Sequence, residues 1–497
     1  MALDQLLTDL RRDPDFMMNV MAWRTLPATP ACYASFPAQL HPALQTVLQQ
    51  RQIAQLYTHQ AQAVQAAFAQ ENVVVVTPTA SGKTLCYNLP VLDTLLRDPH
   101  ARALYLFPTK ALAHDQLHEL VHWESSINNS QFPSGNSQLQ ISVATYDGDT
   151  PAGARATIRK ASRLILSNPD MLHMGILPYH TQWEPFFANL RYVVLDELHS
   201  YRGIFGSHVA NVLRRLQRIC RFYGSAPQFI CTSATIANPQ QLAERLIEQP
   251  VTVISENGAP RGEKQIILYN PPLYDAEQGL RRSSVLETQE FATRCLRANL
   301  QTIVFGRSRL TTEVLLTYLR ERMIGGQDDK MTGRQDDRMP WLEEPTNSSR
   351  ITQHAIRAIA AVTYPRNGAK LKQGCVMDRC GAWWRPMRWS WASTLADYRP
   401  RCSVAIRAVL QGRGSRWGGP DEPRKAQLAI LVATGGLLDQ YVIQHPDYIF
   451  ERSPEHALIN PDNLRLLVDH LRCAAFELPF QSNEAFGNCP LPPMRCN

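Results

Sequence analysis

The chain has 497 residues, of which 44% are hydrophobic and 19% are charged, which predicts a multidomain globular protein. Its longest apolar runs, such as residues 72–76, are far shorter than the roughly 20 residues of a transmembrane helix. The N-terminal sequence has no apolar core followed by a cleavage site, so we expect a cytoplasmic protein. The eleven cysteines are scattered without a C-x-x-C pair, which argues against a disulfide framework or a zinc site.

The net charge of +7 comes from one segment of the chain. Residues 357–424 contain thirteen Lys and Arg but four Asp and Glu, so the remainder is slightly acidic. The positive net charge of the chain therefore has the same origin as this unusual segment. The charge therefore gives no independent indication of nucleic-acid binding.

Residues 1–55 are predicted to form an N-terminal helical extension with a Pro-rich interruption. Residues 56–258 alternate short apolar strands with helical stretches, which predicts an α/β domain with a doubly wound parallel sheet. Six predicted strands are apolar on both faces, as in a sheet covered by helices on both sides; they are NVVVV, RALYLF, ISVAT, RLIL, RYVVL and QFIC. Each ends in a polar cluster, and ligands bind at the carboxyl ends of such strands.

A second unit is predicted over residues 259–445, with strands KQIILY and QTIVFG on either side of the helical TQEFATRCLRANL. Residues 323–356 contain the near repeat GQDDKM and GRQDDRM with few large apolar residues, which is typical of a disordered insertion. Regular periodicity returns near Gln427. Residues 446–497 are interpreted as a truncated C-terminal region with a short helical piece.

Residues 77–84, TPTASGKT, lie between the VVVV strand and a helical stretch, which is the arrangement of a phosphate-binding loop. Lys83 is expected to reach the β and γ phosphates, and the Thr84 hydroxyl to bind Mg²⁺. The residues expected to contact the nucleotide here are Thr79, Ala80, Ser81, Gly82, Lys83 and Thr84. Thr77 replaces the first glycine of the usual pattern, so the alternative is a chance Gly-Lys-Thr in a surface loop.

The sequence VVLDELH at residues 193–199 places two carboxylates at the tip of an apolar strand. Asp196 is expected to hold the Mg²⁺ ion, while Glu197 orients or deprotonates the attacking water. Without the phosphate loop, such a pair is more often a solvated turn. His199 has two interpretations that remain open: coupling of the nucleotide to the strand-binding face, or a structural histidine at a helix start.

Together with five further motifs in the same order, these two sites resemble superfamily 2 helicases of the DEAD/DEAH-box type, over roughly residues 57–309. YTHQ resembles the Q motif, with Gln60 as the reader of adenine. PTKAL (108–112) and SNPDML (167–172) resemble the motifs that hold the nucleic-acid backbone. SAT (233–235) resembles motif III, and IVFGRSR (303–309) resembles motif IV. One such match is weak, whereas seven in order are specific.

The resemblance is greatest to bacterial DNA helicases that have a cysteine-rich C-terminal domain, which has no counterpart in this sequence. It implies two RecA-like domains, the cofactors ATP and Mg²⁺, and a nucleic-acid partner, specifically DNA. The catalytic residues would be Lys83, Asp196 and Glu197. The implied nucleic-acid contacts are Pro108, Thr109, Lys110, Ser167, Asn168 and Asp170, and the implied coupling residues are His199, Ser233 and Thr235. For Asn168 and Asp170, ordinary loop capping is an equal alternative.

Motifs V and VI of the second motor domain have no counterpart in the sequence. Residues 357–424 instead hold five of the nine tryptophans: Trp383, Trp384, Trp389, Trp391 and Trp417. Three interpretations compete, namely a platform on which bases stack, a Trp-rich core, and a segment translated out of frame. Reading the codons in a shifted frame is compatible with VVATNALELGIDIGG, a motif V, and with QQVGRAGR, a motif VI. We hypothesise that this segment is frameshifted and that it disrupts the second domain.

The sequence thus predicts an ATP-dependent DNA helicase or translocase whose activity is impaired by the loss of motifs V and VI. One alternative is a catalytically weak fragment that binds ATP and nucleic acid. Another is a different P-loop enzyme that shares motifs I and II, although no nuclease or partner-binding sequence is visible.

Overall fold

The structure is a computed structural model that describes residues 2–78, 80–129, 141–275, 277–298, 300–306, 308–324, 361–363, 404–409, 426–450, 456–481 and 484–487. Within these residues the strands form a seven-stranded sheet, a six-stranded sheet and two two-stranded sheets. We call the seven-stranded sheet with its helices the first lobe, and the six-stranded sheet with its helices the second lobe. In the described part of the chain, no helix has the length and apolar character needed to cross a bilayer.

The strands are β1 (Val20–Leu26), β2 (Tyr33–Ala34), β3 (Leu56–Tyr57), β4 (Val73–Val76), β5 (Arg102–Leu106), β6 (Val143–Thr145), β7 (Leu164–Ser167), β8 (Leu190–Leu195), β9 (Gln228–Ser233), β10 (Thr252–Ile254), β11 (Lys264–Tyr269), β12 (Leu273–Asp275), β13 (Leu280–Arg281), β14 (Gln301–Gly306), β15 (Ala361–Thr363), β16 (Val404–Val409) and β17 (Gln427–Val432).

The α-helices are α1 (Ala2–Arg12), α2 (Pro14–Met18), α3 (Pro42–Gln50), α4 (Thr58–Phe68), α5 (Thr84–Arg97), α6 (Lys110–Asn129), α7 (Ala152–Ala161), α8 (Pro169–Met171), α9 (Glu184–Ala188), α10 (Gly203–Phe222), α11 (Pro239–Ile247), α12 (Ser284–Arg297), α13 (Arg309–Ile324), α14 (Leu437–Gln444), α15 (Asp447–Phe450) and α16 (Leu464–Glu477). Tighter or wider helical turns occur at Leu172–Ile176, Leu177–Trp183 and Leu198–Ser200.

The sheet of the first lobe is parallel throughout, in the order β10-β4-β9-β8-β5-β7-β6. It contains all six strands predicted between residues 56 and 258, which confirms the predicted α/β fold for this part. One face packs against α10 and α11, and the other against α4, α5 and α6. Burial on both faces explains why β4, β7 and β9 are apolar or fully buried along their length. The parallel arrangement brings the polar strand ends to one edge of the sheet.

The sheet of the second lobe is mixed, in the order β1-β11-β17-β16-β14-β15. β11 and β17 are parallel, as are β14 and β15, but β16 runs antiparallel to both of its neighbours. The sheet is therefore not parallel throughout, and this antiparallel strand lies in residues 357–424, the segment for which a disrupted second domain was predicted. A run of β-branched and apolar residues indicates an extended segment but not its direction. The predicted insertion at 323–356 lies, beyond the end of α13 at Ile324, outside the described residues.

The N-terminal residues are not helical throughout, which corrects the prediction for residues 1–55. β1 forms an edge of the second sheet, antiparallel to β11, and β2 pairs with β3 beside the first lobe. The indole Nε1 of Trp23 donates a hydrogen bond of 2.7 Å to Gln265 Oε1, 242 residues away. A partner so distant leaves no signal in the local sequence pattern, because strand pairing is a long-range property.

The C-terminal residues 456–481 and 484–487 pack on the first lobe, where α16 lies against α10. Their apolar residues Ala457, Ile459 and Leu478 are part of the same core cluster as Leu213. The short helical piece predicted at the C-terminus is thus present as α16.

Candidate nucleotide-binding site

The loop between β4 and α5 has the backbone of a phosphate-binding loop. Ala80 and Gly82 have φ angles of +63° and +83°, a region that L-residues with a Cβ seldom occupy. Glycine suits position 82 because of this left-handed φ, and a Cβ there would lie 2.6 Å from Gln60 Nε2, so the Gln60 side chain would have to move. The hydroxyl oxygens of Thr77 and Ser81 are 2.6 Å apart and hydrogen-bonded, which ties the loop together.

Thr84 is the first residue of α5, a helix of 14 residues. The positive end of the helix dipole therefore faces the loop, as phosphate binding requires. The Leu85 and Cys86 N–H groups of its first turn donate to the Gly82 and Lys83 carbonyls. Thr79, which was also predicted to contact the nucleotide, lies outside the described residues.

The ammonium group of Lys83 lies between the phosphate loop and the end of β9. Its Nζ donates hydrogen bonds to the carbonyl oxygens of Thr77 at 2.7 Å and of Ser233 at 3.1 Å. Hydrogen bonds between an ammonium and an anionic phosphate oxygen are stronger than those to neutral carbonyls. Lys83 is therefore held where it can exchange these carbonyls for phosphate oxygens.

The carboxylate of Asp196 follows β8 and accepts three hydrogen bonds. The donors are the Thr232 hydroxyl, the Tyr87 hydroxyl at 3.3 Å and the Glu197 N–H at 2.9 Å. Burial and the neighbouring charge of Glu197 raise the pKa of Asp196, and burial raises the pKa of Glu197. A divalent cation beside this pair would favour the charged form and offset the cost of its burial.

Glu197 has a left-handed backbone, with φ of +56°, and strained conformations of this kind concentrate at functional sites. Its buried Oε2 has no hydrogen-bond partner among the described residues. The nearest histidine atom, His199 Nδ1 at 3.3 Å, accepts a hydrogen bond from the Ala234 N–H at 3.2 Å. Since Nδ1 is an acceptor, the His199 ring carries its proton on Nε2 and does not donate to Glu197.

His199 joins the acidic strand tip to the end of β9, through Ala234, which lies between Ser233 and Thr235. Burial lowers the pKa of His199 to about 4, so the ring is neutral at physiological pH. The buried Ser233 Oγ has no hydrogen-bond partner among the described residues, while Thr235 is exposed. The three residues predicted to couple the nucleotide to the strand-binding face thus lie at one junction.

Gln60 contacts the phosphate loop directly. Its Nε2 donates a 3.0 Å hydrogen bond to the Gly82 carbonyl, and its Oε1 accepts one of 2.9 Å from the Tyr57 N–H. The sequence suggested only adenine recognition for Gln60. Tyr87 and Thr232, the partners of Asp196, were also missed, because neither belongs to a motif; only the spacing of Tyr87, one helical turn after Thr84, points to the site.

The residues predicted to hold a nucleic-acid backbone follow the neighbouring strands β5 and β7. Pro108, Thr109 and Lys110 form the turn into α6, where the exposed Thr109 accepts a 3.4 Å hydrogen bond from the Leu112 N–H. Lys110 Nζ lies 2.7 Å from Asp149 Oδ2 at the surface. This turn therefore presents both a hydroxyl and a cation.

The three predicted contact residues after β7 differ in their exposure to solvent. Ser167 is 1% exposed, and its hydroxyl donates to the Tyr146 carbonyl at 2.6 Å, so it serves the interior. Asn168 Oδ1 accepts a 2.8 Å hydrogen bond from the Met171 N–H, which is the capping role that the sequence left open. Asp170 is exposed in the first turn of α8.

The residues at this edge of the sheet fit a magnesium nucleotide. The loop N–H groups and Lys83 suit phosphates. Among the described residues, Glu197 Oε2 and Ser233 Oγ have no hydrogen-bond partner; the carboxylate oxygen can accept from water, and the hydroxyl can donate to a phosphate oxygen. Thr84 and Asp196 supply only two oxygen ligands, which suits Mg²⁺, because this ion keeps several waters and takes phosphate oxygens. Within the described residues, no group of three or more His, Cys, Asp and Glu side chains forms a metal site.

A parallel α/β sheet with a phosphate loop, an acidic strand tip and strand-end motifs on one edge defines a P-loop nucleotide-binding domain of the helicase type. Residues 57–242 match the family model for DEAD/DEAH box helicases, and this part of the chain belongs to that family.

Similarity to known proteins extends beyond this domain. Over 98% of its length the chain is 42% identical to the uncharacterized ATP-dependent helicase YprA of Bacillus subtilis (strain 168), of which it covers 60%. It is 32% identical, over 96% of its length, to the ATP-dependent helicase HRQ1 of Saccharomyces cerevisiae, of which it covers 42%. The crystal structure of the DUF1998 helicase MrfA bound to DNA and AMPPNP matches with a TM-score of 0.75 and 38% identity, over 98% of this chain and 63% of that one. The chain thus spans less than two thirds of the length of these relatives.

Proposed function

We propose that the chain is the motor part of an ATP-dependent DNA helicase, in which ATP hydrolysis in the first lobe drives movement along a DNA strand. The observation that carries this proposal is the convergence of Lys83 and Asp196 on β9. Lys83 bonds to the carbonyl of Ser233, and Asp196 bonds to the hydroxyl of Thr232, the preceding residue. An amine and a carboxylate held this close can share one magnesium triphosphate.

Each side chain of the site has a role in hydrolysis. The loop N–H groups and Lys83 bind and neutralise the phosphates, and Thr84 and Asp196 would hold the Mg²⁺ ion. Bound Mg²⁺ supplies charge stabilisation for the phosphates during transfer. Glu197 accepts the proton of the attacking water, and its raised pKa brings it closer to the pH at which a general base is most effective.

The second substrate is proposed to be DNA, because a related helicase, MrfA, has been crystallised with DNA. In this chain, Thr109 and Lys110, with Asn168 and Asp170 nearby, lie at the ends of the adjacent strands β5 and β7. Hydroxyl, amide and ammonium groups at these positions can contact phosphates without reading bases, as movement along any sequence requires. The buried hydroxyl of Ser167 is not part of this surface.

We further propose that turnover by this chain is weak. Motif VI normally supplies arginine side chains that accelerate phosphoryl transfer by roughly 10³- to 10⁵-fold, and residues 357–424 do not contain it. Apart from β15 and β16, these residues lie outside the described residues. The antiparallel direction of β16 supports the proposal, because the predicted domain requires parallel neighbours. Resequencing the gene decides the frameshift hypothesis; a frame without paired insertions and deletions contradicts it.

The proposed activity is tested with Lys83→Ala in assays of ATP binding and DNA-stimulated ATP hydrolysis. We expect the wild type to bind a fluorescent ATP analogue saturably and to hydrolyse ATP slowly, and we expect Lys83→Ala to lose at least about tenfold in hydrolysis, because a charge-assisted contact is removed. Lys160→Ala, at an exposed lysine of α7, is the matched control and should leave both signals unchanged.

Three outcomes would change this view. A wild type without saturable ATP binding would overturn the nucleotide-binding proposal. Strong DNA stimulation that Lys83→Ala abolishes would support the motor and contradict its impairment. Saturable binding of ATP without any DNA-dependent turnover would instead favour the second candidate, a module that binds ATP and DNA without movement, which the missing motifs V and VI support.

A further inference from the structure

Two chain segments cross between the lobes side by side. Residues 255–263 connect β10 to β11, and residues 27–32 connect β1 in the second sheet to β2 beside the first lobe. The segments are antiparallel: Thr29 and Arg261 exchange two backbone hydrogen bonds of 2.8 and 2.9 Å, and the Cys32 N–H donates to the Gly258 carbonyl at 2.8 Å. The N-terminal segment therefore reinforces the connection.

Gly258 lies where this double connection meets the first lobe. Its N–H donates a 3.2 Å hydrogen bond to Nδ1 of His59, while its carbonyl is bound by Cys32. A Cβ at position 258 would lie 2.2 Å from Thr58 Oγ1 and 2.9 Å from the Cys32 carbonyl oxygen. The crossing is therefore close-packed around a residue that has no side chain.

His59 is fully buried between this crossing and the phosphate loop. Because Nδ1 accepts the Gly258 N–H, the neutral ring carries its proton on Nε2. Nε2 is buried without a well-aligned hydrogen-bond partner among the described residues, and the backbone of Ser81 lies close enough to oppose the lowering of the His59 pKa by burial. The next residue, Gln60, bonds to Gly82, so two consecutive side chains of α4 meet the loop.

An aromatic stack joins His59 to the N-terminal segment as well. The Tyr57 ring lies 6.0 Å from the His59 ring, at an interplanar angle of 13°, and 5.5 Å from the ring of Tyr33 on β2. A displacement of His59 is therefore transmitted to both crossing segments, through Gly258 and through this stack.

We propose that His59 is a positioning residue that links the phosphate loop to the inter-lobe connection. Phosphates that rearrange the backbone at Ser81 and Gly82 give the Nε2–H of His59 a defined partner. The ring then holds the Gly258 N–H in one geometry, and the two crossing segments become more ordered. This inference rests on the proposed binding of ATP in the first lobe, and it assigns the residue through which that binding reaches the second lobe.

The test is hydrogen–deuterium exchange of the full chain with and without saturating Mg²⁺ and AMPPNP, with saturation checked separately by displacement of a fluorescent nucleotide. In the wild type we expect nucleotide to slow exchange in residues 255–263 and 27–34 by up to about tenfold, the effect of stabilising roughly one hydrogen bond. His59→Leu should lose this response. His59→Asn keeps an acceptor for the Gly258 N–H through Asn Oδ1 but has no donor at the position of Nε2, so it should keep the exchange rates of the nucleotide-free chain and lose most of the response.

His180→Leu is the matched control. His180 is also a buried histidine of the first lobe, 6% exposed, and it bonds to Tyr223 and to the Glu477 carbonyl, away from the crossing. Its substitution should lower the melting temperature and leave the nucleotide response intact. If His59→Leu fails to fold or to reach nucleotide saturation, Gly258→Ala serves as the test variant. Its added Cβ should force residues 255–263 and 27–32 apart and so weaken the slowing of exchange by nucleotide.

A wild-type chain that binds nucleotide without slower exchange in these segments overturns the inference, as does a wild-type response in both His59→Leu and Gly258→Ala. A wild-type chain that does not bind nucleotide instead overturns the proposed function. The two failures are thus distinguishable.

Discussion

The carboxylate of Asp196 suits Mg²⁺ binding but lowers the stability of the protein when no cation is bound. Its carboxylate is buried beside Glu197, and both effects raise its pKa, so the charged form costs free energy in the absence of a cation. The three hydrogen bonds from Thr232, Tyr87 and Glu197 compensate only in part. Such an arrangement is expected where a carboxylate must bind Mg²⁺, and would be unfavourable elsewhere.

Asp196→Asn should therefore stabilise the protein while abolishing Mg²⁺-dependent nucleotide affinity. The amide keeps an oxygen acceptor but carries no charge, so we expect the free energy of unfolding at pH 7.5 to rise by roughly 1 kcal/mol. The measurement is thermal unfolding together with titration of a fluorescent nucleotide, with and without Mg²⁺. Asp469→Asn, whose side chain is 66% exposed, is the control. If Asp196→Asn instead lowers the free energy of unfolding, the charged carboxylate of Asp196 is already stabilised by its protein neighbours in the absence of Mg²⁺.

At the scale of elements, the packing of α16 on α10 depends on a buried ion pair. The side chains of Arg215 and Glu477 are 0% and 2% exposed, and Glu477 accepts two hydrogen bonds from the Arg215 guanidinium. His173 also lies beside the guanidinium, at 2.6 Å from Nη1. If one partner of such a pair is removed, the other charge remains buried without compensation.

Glu477→Ala should lower the free energy of unfolding by about 3–5 kcal/mol. Asp469→Ala on the same helix should change it by less than about 1 kcal/mol, because the Asp469–Arg472 contact is 66% and 78% exposed. Urea unfolding followed by circular dichroism compares the two variants. Equal, small effects would mean that α16 does not contribute to the stability of the first lobe.

How much of each element was predictable depended on the distance over which its interactions act. The strands of the first sheet are apolar on both faces and end in polar motifs, so a local pattern was sufficient for them and for the loop around Lys83. The edge strand β1 and the direction of β16 depend on partners far away in sequence, which no local pattern records. Exposure is likewise a tertiary property, which is why Ser167 was assigned to a surface but lies in the interior.

In the whole molecule, each end of the described chain packs on the lobe that is more distant from it in sequence: the N-terminal end on the second lobe and the C-terminal end on the first. β1 completes the second sheet, and residues 456–481 complete the core of the first lobe. The chain crosses between the lobes at residues 27–32 and 255–263, and it crosses again between Phe450, which packs on the second sheet, and Ala457, which packs in the first lobe. The fold of each lobe therefore depends on residues that are distant in sequence.

Buried histidines make the stability of the molecule depend on pH. Burial lowers the pKa of His59 and of His199 to about 4, and burial and the charge of Arg215 lower that of His470 to about 3. In the unfolded chain these rings bind protons near pH 6.5. Below this pH the unfolded state therefore binds more protons than the native state, so the free energy of unfolding decreases as the pH falls from about 6.5 towards 4.

Asp196 and Glu197 act with the opposite sign, because their raised pKa values let the native state bind protons first. These two carboxylates act against three histidines, so we expect the histidines to determine the sign. We expect the melting temperature to change little between pH 8 and 7 and to fall between pH 6.5 and 4.5. His470→Gln should make this decrease smaller, since it removes one of the responsible rings, while substitution of the exposed His122 by Gln should not. A melting temperature as high at pH 5 as at pH 7.5 would mean that the buried rings gain protons without unfolding, through local opening at α16 or at the crossing of the two connections.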